Sequence, residues 1–430
     1  MMQKITRRTA LQGMAFSGAG YWLGTAPSMA KNAVSPNEKL NLAVIGIGGQ
    51  GRSNLNGAAK ENIVALCDVD ETRAGDGFSK NPKAKKYSDF RKMFDEMEKQ
   101  IDGVLISTPD HTHFHPALWA MQRGKHVYLE KPLAHDVWEV RTLTKLAQEK
   151  KLATQLGAQR HTLSGLRAGV EIIKAGTIGT ITEVHSWVGG DRGMPSIPAE
   201  KPNVPANVNW DLWLGPNADF DYQPSICPYG WRFWWQFGTG ETGNWGCHIL
   251  DIPFWALDLR YPTKVEASGP PVHELTTPKA LASKFEFPKQ GDREAVTLHW
   301  YHAKNGPEIL AKHDLKAGNY NNLFIGTKGM LLCGFSNWKL LPDDKFKEVK
   351  APKTIPDSPG FHKEWFDACK GGKPATCNFD YSGPMTETVL LANVAYRTGG
   401  FEWDSTNMTC KGNSKAQGLL RRAYRKGWEV

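Results

Sequence analysis

An apolar run, Leu40–Ile45, leads into Gly46-Ile47-Gly48-Gly49-Gln50-Gly51, and a helix-like stretch follows to about Ala59. A glycine pattern of this kind is a weak signal alone. Set between a strand and a helix, it dictates a specific local structure. The first glycine permits a tight turn, the second lets a pyrophosphate approach the backbone, and the third lets the helix pack closely on the strand. The helix N-terminus then offers unpaired N–H groups to the phosphates. Asp68 closes a second apolar run, Ile63–Cys67, 17 residues after Gly51. A carboxylate there accepts hydrogen bonds from the adenosine ribose hydroxyls and repels a 2′-phosphate. The expected cofactor is therefore NAD in preference to NADP. Arg52, beside the turn, keeps NADP open.

The alternation continues. Ile101–Ser107 is a third apolar run, with a helical pattern over 112–123 after it. Val127–Leu129 is a fourth, followed by a helix over 137–150, and Leu152–Leu156 is a fifth. Strands alternating with helices of this length predict a doubly wound parallel sheet. After about Gln159 the texture changes. A helix over 163–175 precedes an alternating strand at 181–188. A long Pro/Gly/Trp-rich stretch then gives way to strand-like segments at 264–269, 295–301, 322–326 and 329–333. Helices over 385–397 and 416–425 close the chain. The fold class expected is α/β: a parallel-sheet domain over 36–160, then an α+β domain over 161–430 with an open, mostly antiparallel sheet.

Residues 1–30 read as an export signal. They carry Lys4, Arg7 and Arg8 and no acid, then a weakly apolar stretch, then Ser28-Met29-Ala30 at a cleavage site. Paired arginines before a weak apolar stretch are the mark of a twin-arginine signal, and the expected location is periplasmic or otherwise exported. The net charge is +9, but the basic residues are scattered, so no nucleic-acid partner is expected. No apolar stretch is long enough to span a membrane. Seven cysteines without a C-x-x-C argue against a disulfide framework or a zinc site. A Cys369–Cys377 pair is the weak exception.

Three later segments carry chemistry. Thr108-Pro109-Asp110-His111-Thr112-His113-Phe114-His115-Pro116 follows the third strand. Alternate histidines hint at a metal, but prolines bracket a turn there and the rings diverge, so no metal is expected. Thr108, Pro109 and His113 are instead expected to line the cofactor crevice, at the carboxyl end of the strand. Glu130-Lys131-Pro132 follows the fourth strand. A desolvated Lys131 can serve as acid or base, with Glu130 orienting it or the cofactor, and a surface ion pair is the plain alternative. Of 16 Trp, seven fall between Trp210 and Trp255. Flat faces suit a sugar ring, although a Trp-rich core explains them equally. Asn244, His248 and Asp251 are spaced to share a helix face, which would put an imidazole beside a carboxylate or an amide. A satisfied core histidine is the alternative.

Taken in order, the glycine turn, Asp68, Thr108-Pro109-x-x-x-His113, Gly124-Lys125-His126-Val127, Glu130-Lys131-Pro132 and Gly246-x-His248-x-x-Asp251 resemble the glucose–fructose oxidoreductase / inositol dehydrogenase / MocA family. The similarity covers the chain after residue 40. Trp210–Pro216 and Trp231–Asp251 resemble an exported bacterial subgroup with twin-arginine signals. The resemblance implies a Rossmann domain, a C-terminal domain whose sheet makes homo-oligomer contacts, a nicotinamide cofactor, and a sugar, cyclitol or glycoside substrate. It implies proton transfer by Lys131 and by His248. Gly46, Gly48, Gly49, Gln50, Gly51, Arg52, Asp68, Thr108, Pro109, His113, Glu130, Lys131 and Gln159 form the expected cofactor-binding set. Lys131, Arg160, Trp231, Arg232, Trp245 and His248 form the substrate-binding set. Many dehydrogenase members carry Asp four residues before the later histidine. Here it is Asn244, and an amide cannot carry the proton.

Two chemistries follow. One is NAD(P)-dependent oxidation of a sugar or glycoside by hydride transfer to tightly bound nicotinamide. The other follows from export: a cofactor loaded before transport must be regenerated in place. An NAD-dependent glycosidase or glycoside lyase meets that need by transient C3 oxidation and elimination, with no net redox change. A non-enzymatic binding or sensor role is the third reading, to which Asn244 lends some weight.

Overall fold

The computed structural model describes residues 38–197, 200–302 and 306–430. The expected export signal lies outside them. The described residues belong to one compact unit and hold two sheets.

The first sheet has six parallel strands: β1 Asn41–Ile45, β2 Asn62–Cys67, β3 Lys85–Tyr87, β4 Gly103–Ile106, β5 His126–Leu129 and β6 Thr154–Leu156. Their spatial order is β3-β2-β1-β4-β5-β6, the doubly wound arrangement. Val44, Val104, Leu105 and Val127 are fully buried. Helices cover both faces, so these strands read as continuous apolar runs rather than alternating ones. The edge strand β3 is not among the elements the sequence predicts. Its residues, Lys-Lys-Tyr, are exposed or half-buried and carry no apolar signature. The helices begin where side chains cap them. Asp70 accepts from Arg73 N at the start of Glu71–Lys80, and Asp136 from Glu139 N at the start of Val137–Lys150.

The second sheet has nine strands: β7 Ile181–Val188, β8 Lys264–Ser268, β9 Leu281–Phe287, β10 Val296–His302, β11 Asn322–Gly326, β12 Gly329–Cys333, β13 Trp338–Leu341, β14 Phe401–Asp404 and β15 Thr409–Lys411. Only β7 and β10 pair in parallel; the other pairs are antiparallel. β9 and β10 alternate buried and half-buried side chains along their length, as a sheet with one face on the core requires.

All six strands of the first sheet lie before residue 160 and all nine of the second after it, and helices from the later part pack onto the first sheet. The 20-residue helix Phe379–Thr398 lies against Val137–Lys150, and a Cβ on its Gly383 would stand 2.4 Å from Thr144 Oγ1. The helix Phe361–Cys369 sends Trp365 against Gly103 of β4. The tail also returns. The helix expected over 416–425 is confined to Ser414–Gly418. Beyond it, Arg422 donates to Glu139, Asn217 and the carbonyl of His111, Tyr424 OH to Glu139, and Arg425 to Asp211. These distant acceptors outweigh the local helical preference of a basic segment. All seven cysteines are buried and free, Cys369 and Cys377 included. No helix among the described residues is long and apolar enough to cross a membrane.

Candidate active site

A cavity of about 480 Å³ runs along the carboxyl ends of the parallel strands. At one end is the glycine turn. Gly46 and Gly49 have positive φ, 76° and 53°. A Cβ on Gly46 would stand 2.8 Å from the Ser107 backbone, and one on Gly51 would stand 1.8 Å from the Gly46 carbonyl oxygen. Gly46, Gly48, Gly49 and Gln50 face the cavity. Gly51 sits behind them and lets the helix Gln50–Gly57 close on β1. Asp68 holds the turn in shape: its carboxylate accepts from the amides of Ile47 at 2.7 Å, Gly48 at 3.3 Å and Asp70 at 3.0 Å. Burial pushes its pKa up, and those amides act in the opposite direction. Asp68 lines the cavity, and its carboxylate has acceptor capacity beyond these three bonds, as a ribose partner would need.

Arg52 is a correction. The third residue of its helix, it points about 200° around the axis from Gln50, and its guanidinium pairs with Asp76 away from the cavity. The arginine at the turn is Arg73, whose side chain lies 3.1 Å from where a Gly48 Cβ would stand. No local motif marks it; only the packing of the helix Glu71–Lys80 brings it there.

His113 is a second correction. It does not line the cavity. Its Nδ1 meets the Pro132 carbonyl at 2.7 Å and its Nε2 the Thr108 carbonyl at 2.8 Å, so it ties two wall loops together from beneath. His111 and His115 face other carbonyls, those of Trp213 and Trp428. Thr108 and Pro109 do line the cavity. The Thr108 hydroxyl is buried with no partner among the described residues. An orphaned hydroxyl beside a turn that only glycines can form fits a bound dinucleotide.

Glu130 does not orient Lys131. Its Oε1 accepts from Asn54 at 2.9 Å and from Gln159 at 2.7 Å. Lys131 Nζ instead donates to Asn244 Oδ1 at 2.8 Å. Asn244 Nδ2 donates to Glu241 at 3.1 Å, and Glu241, almost fully buried, pairs with Arg192. Glu241 and Arg192 escaped the sequence reading. Glu241 lies three residues before Asn244 on the helix Gly240–Ile249, the one signal that could have found it. Burial holds the Lys131 amine below its ordinary pKa, with Glu130 and Asp110 acting to raise it and Arg232 to lower it further.

His248 lies one turn beyond Asn244 on the same cavity wall. Burial holds its imidazole well below the usual range, and Lys131 and Arg160 reinforce the effect. Its Nδ1 has no partner among the described residues. Asp251 does not join it. The helix is interrupted at Leu250, and the Asp251 carboxylate is held by His161 Nδ1 at 2.8 Å and Tyr381 OH at 2.5 Å. Of the seven clustered tryptophans, Trp213, Trp231 and Trp245 line the cavity. Trp210, Trp234, Trp235 and Trp255 do not; Trp234 is core and Trp255 stacks on His161.

Residues 40–158 match the family model described as an oxidoreductase family with an NAD-binding Rossmann fold, and residues 177–430 match its C-terminal alpha/beta domain. Over 159 residues the chain is 33% identical to a glycosyl hydrolase family 109 protein of Solibacter usitatus, across 32% of this chain and 36% of that protein. Over 152 residues it is 29% identical to inositol 2-dehydrogenase of Salmonella typhimurium, across 34% of this chain and 45% of that one. These matches thus span less than half of either relative. In structure it resembles the WlbA dehydrogenase of Bordetella pertussis, solved with NADH and UDP-GlcNAcA: TM-score 0.61, 16% identity, 85% of this chain and 99% of that one. At that identity the likeness concerns the fold. With both domain models matched in order over most of its length, the chain belongs to the Gfo/Idh/MocA oxidoreductase family.

Proposed function

We propose that the protein oxidises or reduces a hydroxyl-bearing carbon of a sugar, cyclitol or glycoside, with NAD held tightly in the glycine-turn end of the cavity. The observation that carries this reading is one continuous cavity with a dinucleotide cradle at one end and Lys131, Asn244 and His248 on the wall at the other. When bound, NAD supplies the hydride acceptor or donor. Lys131 takes the hydroxyl proton; burial lowers its pKa, which favours the free amine that a base must be. Asn244 fixes the amine's position and adds no charge. His248, kept neutral by burial, offers a second acceptor for the same proton. Trp231 and Trp245 line the part of the cavity assigned to the sugar ring.

NAD is preferred over NADP because Asp68, facing the cavity, repels a 2′-phosphate. Mass spectrometry of the supernatant after denaturation tests both claims: NAD or NADH supports them, and NADP or nothing refutes them. Nicotinamide absorbance during incubation with a panel of sugars tests the activity; a flat trace with every sugar and acceptor refutes it. A redox-neutral outcome, glycoside cleavage through elimination next to a transiently oxidised carbon, is the second reading. The glycosyl hydrolase family 109 relative favours it. Cleavage in deuterium oxide without deuterium at C2 would exclude it. The protein is further proposed to belong to an exported subgroup, leaving the cytoplasm through its twin-arginine signal, and to form homo-oligomers through its second sheet. Fractionation of cells carrying an Arg7→Lys/Arg8→Lys variant and light scattering of the purified protein test these two points.

A further inference from the structure

Three arginines line the cavity beside Lys131 and His248. Arg192 is taken by Glu241. Among the described residues the other two pair with no carboxylate. Among the described residues the Arg160 side chain makes no hydrogen bond or ion pair. Its guanidinium lies over the rings of Trp245 and Phe335, at 5.0 and 4.5 Å. Arg232 lies over Trp231 at 4.1 Å and Tyr229 at 4.5 Å, and among the described residues the one hydrogen bond of its side chain is to the Tyr229 carbonyl. Asp110, whose field reaches both Lys131 and Arg232, accepts at its Oδ2 from the Thr239 amide and hydroxyl and forms an ion pair with neither.

Aromatic stacking holds a guanidinium by its faces and leaves its N–H edges free, the geometry that accepts a carboxylate or phosphate in two parallel hydrogen bonds. Two such forks, half-buried on the cavity wall, carry charge that no carboxylate of the described residues meets at ion-pair distance, Asp110 and Glu241 acting on Arg232 only through their fields. A neutral sugar does nothing to match it. An anionic group on the substrate does, and gains hydrogen bonds to charged donors that were already ordered before it arrived.

We propose that the substrate is an acidic sugar, bearing a carboxylate or a phosphate or sulfate ester that Arg160 and Arg232 clamp while Lys131 and His248 meet the reacting hydroxyl. The inference rests on the sugar reading above and narrows it.

The test titrates the NAD-loaded full chain with glucose, glucuronate, glucose 6-phosphate and glucose 6-sulfate. Tryptophan fluorescence reports binding through Trp231 and Trp245, and nicotinamide absorbance reports turnover. At least one acid should bind about tenfold or more tighter than glucose, the gain expected of one charged hydrogen-bonded contact. The tightest acid identifies the anionic group. In Arg160→Met and Arg232→Met the acid-to-neutral ratio should fall toward one, and Arg160→Lys and Arg232→Lys should recover part of it. Circular dichroism checks that each variant is folded. Glucose bound and oxidised as well as every acid overturns this inference and leaves the sugar reading standing. A ratio unchanged in both Met variants overturns it as well. A protein that holds NAD but neither binds nor turns over any sugar overturns both.

Discussion

Asn244→Asp places a carboxylate where an amide oxygen now accepts from Lys131 Nζ at 2.8 Å. At an effective dielectric of about 20, opposite unit charges at that separation attract by about 6 kcal/mol. The site is half-exposed, and water screens much of this, so the working figure is the rise of about 1–3 in pKa that a charged partner produces at close range. The lower end applies here. The new carboxylate also faces Glu241, where the amide donated at 3.1 Å, and Arg192 offsets only part of that repulsion. The sign is fixed by which form of the lysine gains. A carboxylate favours the ammonium, so the free amine appears at higher pH and the ascending limb of kcat/KM moves upward. Below the new limb, activity falls about tenfold for every whole pH step the limb has moved. The pH profile of sugar oxidation measures this. Competitive acetylation of Lys131 as a function of pH, read by mass spectrometry, measures it without turnover. A limb that stays in place while acetylation moves assigns the base to His248. If neither moves, the Lys131–Asn244 contact does not set the amine's ionisation, and the proton route assigned to Lys131 is refuted.

Gly51→Ala drives a methyl into the Gly46 carbonyl; NAD affinity by calorimetry should fall at least about tenfold and stability by about 1–3 kcal/mol, and wild-type affinity would refute the role given to the turn. Arg141→Met strands the fully buried Glu387 carboxylate, which then keeps only Trp403 Nε1 at 3.0 Å; urea unfolding should show a loss of about 3–5 kcal/mol, and a loss under about 1 kcal/mol would refute it. Stability should fall as pH drops from neutrality toward about 4. Burial lowers the pKa of nine of the 13 histidines, His111 to about 3 and His115, His126 and His302 to about 4. The unfolded chain therefore binds more protons between those values and about 6.5, and each group contributes up to about 1.4 kcal/mol per pH unit. Asp68, Asp136 and Glu387, raised by burial, act the other way and are fewer. A Tm that is flat or rises on acidification refutes the balance.

The parallel sheet is legible in the sequence because its strands are buried on both faces, so β1, β2, β4 and β5 each announce themselves as apolar runs. β3 is polar and at an edge. β9 alternates cleanly between Leu281 and Phe287, yet Pro, Lys and Asp on either side give its surroundings the look of a loop and hide the two-residue period. At the site, groups fixed by short-range spacing can be read: the glycine turn, and Asn244 with His248 one helical turn apart. Partnerships across the chain cannot. Glu130 finds Asn54 and Gln159, Lys131 finds Asn244, Asp251 finds His161, and Arg73 replaces Arg52 at the turn. Spacing along one element says which face a residue occupies, and nothing about which distant element will meet that face.

Residues 422–428 complete a wall of the domain whose strands all lie before residue 160. Trp428 lines the cavity, packs near Phe90, lies under Arg91 and receives a hydrogen bond at its carbonyl from His115; Arg422 neutralises Glu139 at the head of a helix made hundreds of residues earlier. The wall of the cavity is thus built from two segments 313 residues apart. Deleting residues 421–430 would therefore strip the first domain of part of its wall, although every strand of its sheet would remain.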